Sequence, residues 1–130
     1  MTETNVIDRL FGALSAGDLE TARDCLTPDA RLWHSFDQVA MDRDTAIAGF
    51  TDFIANFATR SFVDVRRHAI EGGFVQQHVM TATKHSGEVL AWPVCIVVRI
   101  ENDRIVRLNE YIDRAGFFKP ESGAVTTPGF

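Results

Sequence analysis

The sequence predicts an α+β fold in which helices cover one face of a curved, mainly antiparallel sheet. Apolar residues recur at helical spacing before Arg60, whereas runs rich in β-branched and aromatic residues dominate after it. Short turn segments separate those runs, and strands joined by short connections must be antiparallel. Helices and strands that are segregated along the chain are typical of the α+β class.

The first predicted helix begins at Thr4 or Asn5, because either side chain can cap the free backbone N–H groups of a helix start. Gly17 can end it in a left-handed conformation. Its apolar positions, three or four residues apart, are Val6, Ile7, Leu10, Phe11 and Leu14. This spacing predicts one apolar face that packs on the rest of the domain.

Two further helices and a short strand follow. Asp18 caps a short second helix, which ends at the segment Thr27-Pro28-Asp29. Residues 30–35 predict a short strand. Asp44 caps a third helix, whose apolar face is formed by Ile47, Phe50, Ile54 and Phe57.

Four β-rich runs then predict a meander with strands at 62–71, 74–83, 89–100 and 105–113. Turn-forming residues at 72–73, 84–87 and 101–103 separate these strands. Residues 116–130, which contain Pro, Gly, Ser and Thr, form a tail that is either mobile or laid along a partner subunit. The chain 1–130 is predicted to be a single domain.

Composition and charge argue against several classes of protein. The chain has 130 residues, of which 45% are hydrophobic and 24% charged, a balance typical of a globular domain. A net charge of −5, with Arg66-Arg67 as the nearest approach to a basic cluster, argues against a nucleic-acid partner. No apolar run reaches the roughly 20 residues of a membrane span, and the first residues do not resemble a signal peptide. Cys25 and Cys95 lie far apart, which favours reduced thiols in a cytoplasmic protein.

Strand alternation places one carboxylate in an apolar row. On the last strand Glu110 shares a face with Leu108 and Ile112. Burial of a carboxylate is costly, so its position needs a reason. Glu110 either lies at the wet end of the strand, pairs with a buried Arg, or is an acid–base group whose pKa is raised by its apolar surroundings.

Two histidines are candidates for the same interior. His34 ends the first strand on the face of Leu32, where it can act as base, acid or hydrogen-bond donor near neutral pH, or be a satisfied histidine at the rim. His78 shares a face with Gln76 and Met80, and is either functional or a core histidine bonded to a neighbour. His85 lies in a hairpin and is expected to be exposed.

Four segments carry a resemblance to a known family: LSAGDL at 14–19, LTPDARLWH at 26–34, KHSGE at 84–88 and DRIVRLNEYID at 103–113. In this order they resemble the nuclear-transport-factor-2-like superfamily, and within it the SnoaL-like polyketide cyclase and ketosteroid isomerase branch. The resemblance covers residues 6 to about 113. It implies a cone-shaped α+β barrel, in which three N-terminal helices pack on the curved sheet around a deep apolar pocket. The predicted lining residues are Leu32, Trp33, Phe50, Ile54, Met80, Cys95, Leu108 and Ile112.

The resemblance also implies roles for single residues. Glu110 falls where SnoaL-like cyclases and limonene epoxide hydrolases have a catalytic Asp, and His34 falls where ketosteroid isomerases have their base Asp. His78 matches the Arg of the Arg-Asp-Asp triad of the epoxide hydrolases, but Met80 falls where that triad needs an Asp. Since a thioether cannot accept a proton, epoxide hydrolysis by that route is not expected.

The oxyanion hole of the ketosteroid isomerases is not matched. Cys95 falls where those enzymes have a protonated Asp, and Leu10 falls where they have a Tyr. An enolate formed at a ring ketone would lack these donors, so steroid isomerisation is not expected. The interpretation of Cys95 as a small apolar residue is preferred to a functional one.

Two functions of different classes remain. The first is a cofactor-independent isomerase, lyase or aldol cyclase that acts on a small, largely apolar carbonyl compound. Glu110 would remove or shuttle a proton, and His34 and His78 would donate to the developing oxyanion or relay protons. The second is a module that binds a small apolar ligand without catalysis. A minor alternative is a metal site of two histidines and one carboxylate, although the family resemblance implies no metal and no cofactor.

The family resemblance also implies a homodimer, formed through the outer face of the meander. The apolar residues predicted to cover that face are Val89, Val97, Ile105 and Tyr111. Apart from a second copy of the chain, a small ligand or substrate is the only partner that the sequence indicates.

Overall fold

The computed structural model describes residues 5–120, so the proposed cap Thr4 and most of the tail lie outside the described residues. The helices are α1 (Val6–Ala16), α2 (Leu19–Asp24) and α3 (Arg43–Asn56). The strands are β1 (Leu26–His34), β2 (Ala40–Met41), β3 (Thr59–Ile70), β4 (Gly73–Thr83), β5 (Val89–Glu101) and β6 (Arg104–Tyr111). They form one sheet in the order β2-β1-β6-β5-β4-β3, antiparallel except for the parallel pair β1 and β6. The α+β prediction is confirmed, with three helices on one mixed, open sheet.

The ends of α1 follow the predicted chemistry. The Asn5 side chain accepts a hydrogen bond from the backbone N–H of Ile7, and thus caps the helix. Gly17 ends it with φ 76°, and its N–H donates to the carbonyls of Ala13 and Leu14. A residue with a Cβ would be strained in that conformation.

The cap of α3 lies two residues before the predicted one. Asp42, not Asp44, accepts from the N–H of Thr45 at 2.9 Å. Asp44 lies in the first turn instead, where it pairs with Arg23 at 2.7 Å. Both carboxylates stand at the N-terminus of the helix, where the helix dipole favours negative charge.

Strand β1 begins at Leu26, four residues earlier than predicted, and includes Pro28. Its pairing with β6 is irregular there, because the register shifts between Leu26 and Arg31. Proline has no N–H and is tolerated where the ladder is interrupted. Strand β2, which the sequence did not indicate, adds two residues beside Leu32 and Trp33.

A bulge in β6 changes which residues face the core. Ile105 pairs with Ile100 and Arg107 pairs with Arg99, so Val106 is an extra residue on this strand. Ile105 is therefore fully buried on the helix-covered face. The prediction that Ile105 covers the outer face is wrong, because strict alternation does not survive the bulge.

Arg60 joins two helices to the sheet. From β3 its guanidinium donates to the carbonyls of Leu14 and Ser15 at the end of α1, and of Ile54 and Phe57 at the end of α3. Helix C-termini leave carbonyls unpaired and carry partial negative charge, so a cation between two of them satisfies both. This contact holds the helices over the inner face of the sheet, the face that they cover. No helix within the described residues is both long and apolar enough to cross a membrane.

Candidate active site

Glu110 and His34 form a close pair on the inner face of the sheet. They are directly opposite each other on the parallel strands β1 and β6, so both side chains point to the same side. Glu110 Oε1 lies 3.4 Å from His34 Nε2, and the side chains are only 17% and 16% exposed. The nearest polar partner of Glu110 is thus this histidine, and not the buried arginine that was one of the alternatives open from the sequence.

Ser35 fixes the two strands beside this pair. Its N–H donates to the carbonyl of Glu110 at 2.9 Å. Its hydroxyl donates to the carbonyl of Ile112 at 3.1 Å and accepts from the N–H of Ile112 at 3.0 Å. The backbone from Glu110 to Ile112 is therefore tied to the end of β1, which limits the movement of the carboxyl relative to His34.

The environment of Glu110 is apolar. Leu108 and Ile112 flank it along β6, and its cross-strand partner on β5 is the fully buried Ile96. Burial raises the pKa of the Glu110 carboxyl from 4.5 to about 7, because the charged form loses solvation. At neutral pH both the acid and the carboxylate are therefore populated.

The same burial acts on His34 in the opposite direction. Burial is the largest effect and lowers the pKa of the imidazole. The nearby negative charge of Asp37 raises this pKa by a smaller amount, and the positive charge of Arg114 lowers it. The ring contacts Phe36, which is 45% exposed and lies 4.5 Å beneath the guanidinium of Arg114. Phe36 and Arg114 thus form the rim of the site, with an uncharged imidazole and a weak acid inside.

His78 lies on the same inner face but two strands away from Glu110. Strand β5 separates the two, and His78 lies two residues along β4 from Gln76, the residue level with Glu110, so the backbones of His78 and Glu110 are about 12 Å apart. Burial lowers the pKa of His78 to about 4, and the positive charge of Arg67 makes a smaller contribution in the same direction. Its Nδ1 lies 3.2 Å from Gln76 Nε2, the neighbour that the core-histidine interpretation required.

The predicted lining residues divide between the two faces of the sheet. The residues that contribute to the core on the helix-covered side are Leu32, Phe50, Ile54, Met80, Leu108 and Ile112. Trp33 and Cys95 lie on the outer face instead, where Trp33 contacts Tyr111 and Cys95 is the cross-strand partner of Tyr111. Their assignment to the interior is wrong, because each alternates with an inward-facing neighbour, His34 or Ile96.

The sequence did not indicate the residues whose hydrogen bonds hold His78 and the backbone of Glu110 in place. Asp8, Arg67 and Gln76 connect to His78 through hydrogen bonds, and Ser35 connects to Glu110 through the backbone. Gln76 could have been found, because an amide in the inward row of β4 needs a partner. Arg67 is the cross-strand partner of Gln76 in the hairpin of β3 and β4, whereas Asp8 on α1 is 59 residues from Arg67 and no local pattern marks it.

Two surface cavities lie outside the pair of Glu110 and His34. One, of about 220 Å³, lies between α1 and β3 and is bordered by Phe11, Gly12 and Phe62. The other, of about 210 Å³, is bordered by Gln77, Pro93 and Tyr111 of the outer face and also by atoms of His78 and Val94. Among residues 5–120 no three His, Cys, Asp or Glu side chains cluster closely enough to hold a metal ion.

Comparison with known proteins identifies the fold. IdmH of Streptomyces antibioticus, a proposed polyketide cyclase, is 21% identical with a TM-score of 0.75, over 85% of this chain and 91% of its own. A nuclear-transport-factor-2-like protein of unknown function from Burkholderia pseudomallei is 20% identical with a TM-score of 0.71, over 87% and 94%. An epoxide hydrolase of Mycobacterium tuberculosis that resembles the limonene epoxide hydrolases is 15% identical with a TM-score of 0.67, over 83% and 80%.

At these identities the similarity shows the cone fold of the nuclear-transport-factor-2-like proteins, and not a shared reaction. No curated protein matches the sequence. A family model described as a SnoaL-like domain matches residues 7–108, which include all of α1 after its first residue, the inward row of β4 and most of the sheet. The chain therefore belongs to the SnoaL-like domain family.

Proposed function

We propose that the protein catalyses proton transfer at carbon on a small, largely apolar carbonyl compound, without a cofactor. The observation that carries the proposal is the pair of Glu110 and His34, a carboxyl of raised pKa 3.4 Å from an imidazole of lowered pKa. A general acid or base works best when its pKa lies near the operating pH. The names of the structural neighbours, which include a proposed polyketide cyclase and an epoxide hydrolase, are consistent with small organic substrates.

Glu110 is the group that removes the proton. The carboxylate takes a proton from the carbon next to the carbonyl, so a C–H bond breaks, an O–H bond forms and the electron pair moves to the carbonyl oxygen as an enolate. Return of the proton to another carbon gives isomerisation. Attack of the enolate carbon on a second carbonyl forms a C–C bond and an alkoxide, and transfer of the proton to this alkoxide completes an aldol cyclisation.

His34 completes the cycle. Its Nε2 lies 3.4 Å from Glu110 Oε1, near enough to take the proton from Glu110 after a small adjustment. Burial raises the pKa of Glu110 to about 7 and lowers that of His34 below its ordinary 6.5, so the carboxyl holds the proton more tightly and the transfer to His34 is uphill in free energy. His34 can then pass the proton to the product or to solvent at the rim formed by Phe36 and Arg114.

Deuterium exchange tests the proposal without knowledge of the natural substrate. The protein is incubated in D₂O with cyclohexanone, 1-indanone or 2-tetralone, and loss of the C–H signals next to the carbonyl is followed by NMR. We expect exchange faster than in buffer for the ketone that fits. We expect Glu110→Gln to reduce the enzymatic rate about 10²–10⁴-fold, the usual contribution of a positioned base.

Glu101→Gln is the matched control, because Glu101 is an exposed carboxylate at the end of β5. This variant carries the same chemical change outside the site, and it should catalyse deuterium exchange at the rate of the parent protein. Binding of a ketone without any exchange would favour the non-catalytic binding module. Full activity of Glu110→Gln would contradict the role of Glu110 and move it to a histidine.

A further inference from the structure

A chain of polar side chains runs from the surface of α1 to the interior of the sheet. The Asp8 carboxylate accepts from both terminal nitrogens of Arg67, at 2.7 and 3.2 Å. Arg67 Nε donates to Gln76 Oε1 at 2.7 Å, and Gln76 Nε2 lies 3.2 Å from His78 Nδ1. Gln76 and His78 are buried, at 0% and 1% exposure. The chain joins α1 to the hairpin of β3 and β4, which lies about 60 residues further along the sequence.

The direction of every hydrogen bond in this chain is fixed by chemistry. A guanidinium can only donate, so the oxygen of the Gln76 amide must face Arg67. The amide nitrogen, which also only donates, therefore faces His78. His78 Nδ1 must be the acceptor, and the neutral imidazole carries its single proton on Nε2.

His78 Nε2 has no acceptor. It is buried and makes no hydrogen bond with any residue between 5 and 120. The ring is held by aromatic side chains, with Phe11 at 5.1 Å and Phe62 at 5.9 Å between centroids. An N–H buried without a partner destabilises the folded protein, and a ligand that brings an acceptor removes this penalty.

The position of this N–H relates it to Glu110. Ile96 on β5 is the cross-strand partner of both Gln76 and Glu110, and Val94 is the partner of His78. Both apolar residues are buried on the inner face, so hydrocarbon side chains lie between the imidazole and the carboxyl. A ligand that reaches both groups therefore contacts hydrocarbon between them.

We infer that Asp8, Arg67 and Gln76 are positioning residues that hold His78 as an Nε2–H donor for the carbonyl oxygen of the substrate. A neutral donor between aromatic rings suits a neutral carbonyl, whereas a carboxylate or phosphate would call for a cation. The donor strengthens as negative charge develops on the oxygen of an enolate. The role of the donor rests on the proposed function; the fixed tautomer does not.

The tautomer is measured directly. Long-range ¹H–¹⁵N spectra of the labelled protein distinguish Nε2–H from Nδ1–H, and the spectrum of His78→Phe identifies the resonances of His78. We expect Nε2–H from pH 5.5 to 8. In Gln76→Glu the new carboxylate can only accept, so we expect the proton to move to Nδ1. Gln77→Glu, one residue along and on the outer face, is the control and should leave His78 unchanged.

Detection of Nδ1–H in the unmodified protein overturns the inference, whether or not the Gln76 variant folds. The donor role is tested by the infrared C=O stretch of bound 2-tetralone in Glu110→Gln, with and without His78→Phe. We expect a lower frequency when His78 is present. An unchanged frequency, or no bound 2-tetralone at millimolar concentration, overturns the donor role. A shifted band in a protein that never exchanges deuterium would contradict the proposed function and leave this inference standing.

Discussion

Replacement of Glu110 by glutamine should make the protein more stable at alkaline pH. A pKa raised from 4.5 in the unfolded chain to about 7 in the folded protein means that the folded state holds the proton more tightly. The protonated carboxyl therefore stabilises the fold fully below pH 4.5, and this contribution is lost as the pH rises to about 7. At about 1.4 kcal/mol per pKa unit, the loss amounts to about 3 kcal/mol. The side chain is only 17% exposed, so solvent weakens this effect little.

Urea denaturation at steps between pH 4.5 and pH 8 measures this contribution, with tryptophan fluorescence as the signal. Glutamine has a similar shape and does not titrate. The difference in free energy of unfolding, Glu110→Gln minus parent, should rise by about 3 kcal/mol across this range. His78, whose pKa is lowered to about 4, destabilises the fold as the pH falls from 6.5 towards 4. Because His78 titrates in both proteins, its effect cancels in the difference.

Glu101→Gln provides the matched comparison, because its carboxyl is exposed at the end of β5. The difference in free energy of unfolding between Glu101→Gln and the parent protein should not change with pH. A flat difference for Glu110→Gln as well would refute the argument. It would mean that the carboxyl remains ionised across the range, and that burial does not give it the acid–base character on which the proposed function depends.

Two further predictions concern the architecture. Arg60→Met removes the donors to the carbonyls at the ends of α1 and α3, and should lower the free energy of unfolding by about 3 kcal/mol in denaturant titrations. The control Arg23→Met breaks one exposed ion pair and should change the free energy of unfolding by less than about 1 kcal/mol. Equal effects of the two substitutions would contradict the role of Arg60. Sedimentation at micromolar concentration should give a homodimer of twice the 14.5 kDa chain mass. Tyr111→Asp on the outer face should convert the dimer to a monomer. A 14.5 kDa species alone in the parent protein would contradict the predicted dimer.

The sequence predicts those parts of the fold that depend on local chemistry. Asn5, Gly17 and Asp18 cap helices as expected, because each side chain or backbone bonds to residues within five positions. The inward position of Glu110 could be predicted because alternation is regular along β6 after Arg107. The direction of the Ile105 side chain could not be predicted, since the bulge at Val106 depends on pairing with β5.

Alternation gives no information where both faces of a strand are apolar. The segment 90–98 of β5 is uncharged and almost entirely apolar, so the sequence alone cannot tell whether Cys95 or Ile96 faces the helices. The structure decides this through the pairing of Ile96 with Glu110. Trp33 is similar: its large apolar ring suggests the interior, whereas in the structure it lies against Tyr111 on the outer face.

Burial shifts all three polar candidates towards their uncharged forms, and this limits what the interior can bind. It raises the pKa of Glu110, lowers that of His34 and lowers that of His78, so near neutral pH the only charge among them is the fraction of Glu110 that is ionised. A neutral, apolar molecule can enter without separating an ion pair, and its entry removes further solvent from Glu110 and favours the protonated acid. A charged ligand would meet no fixed counter-charge in these three groups. The raised pKa that destabilises the folded protein above pH 7 is thus the same property that allows one carboxyl to accept a proton from a neutral substrate and then return it.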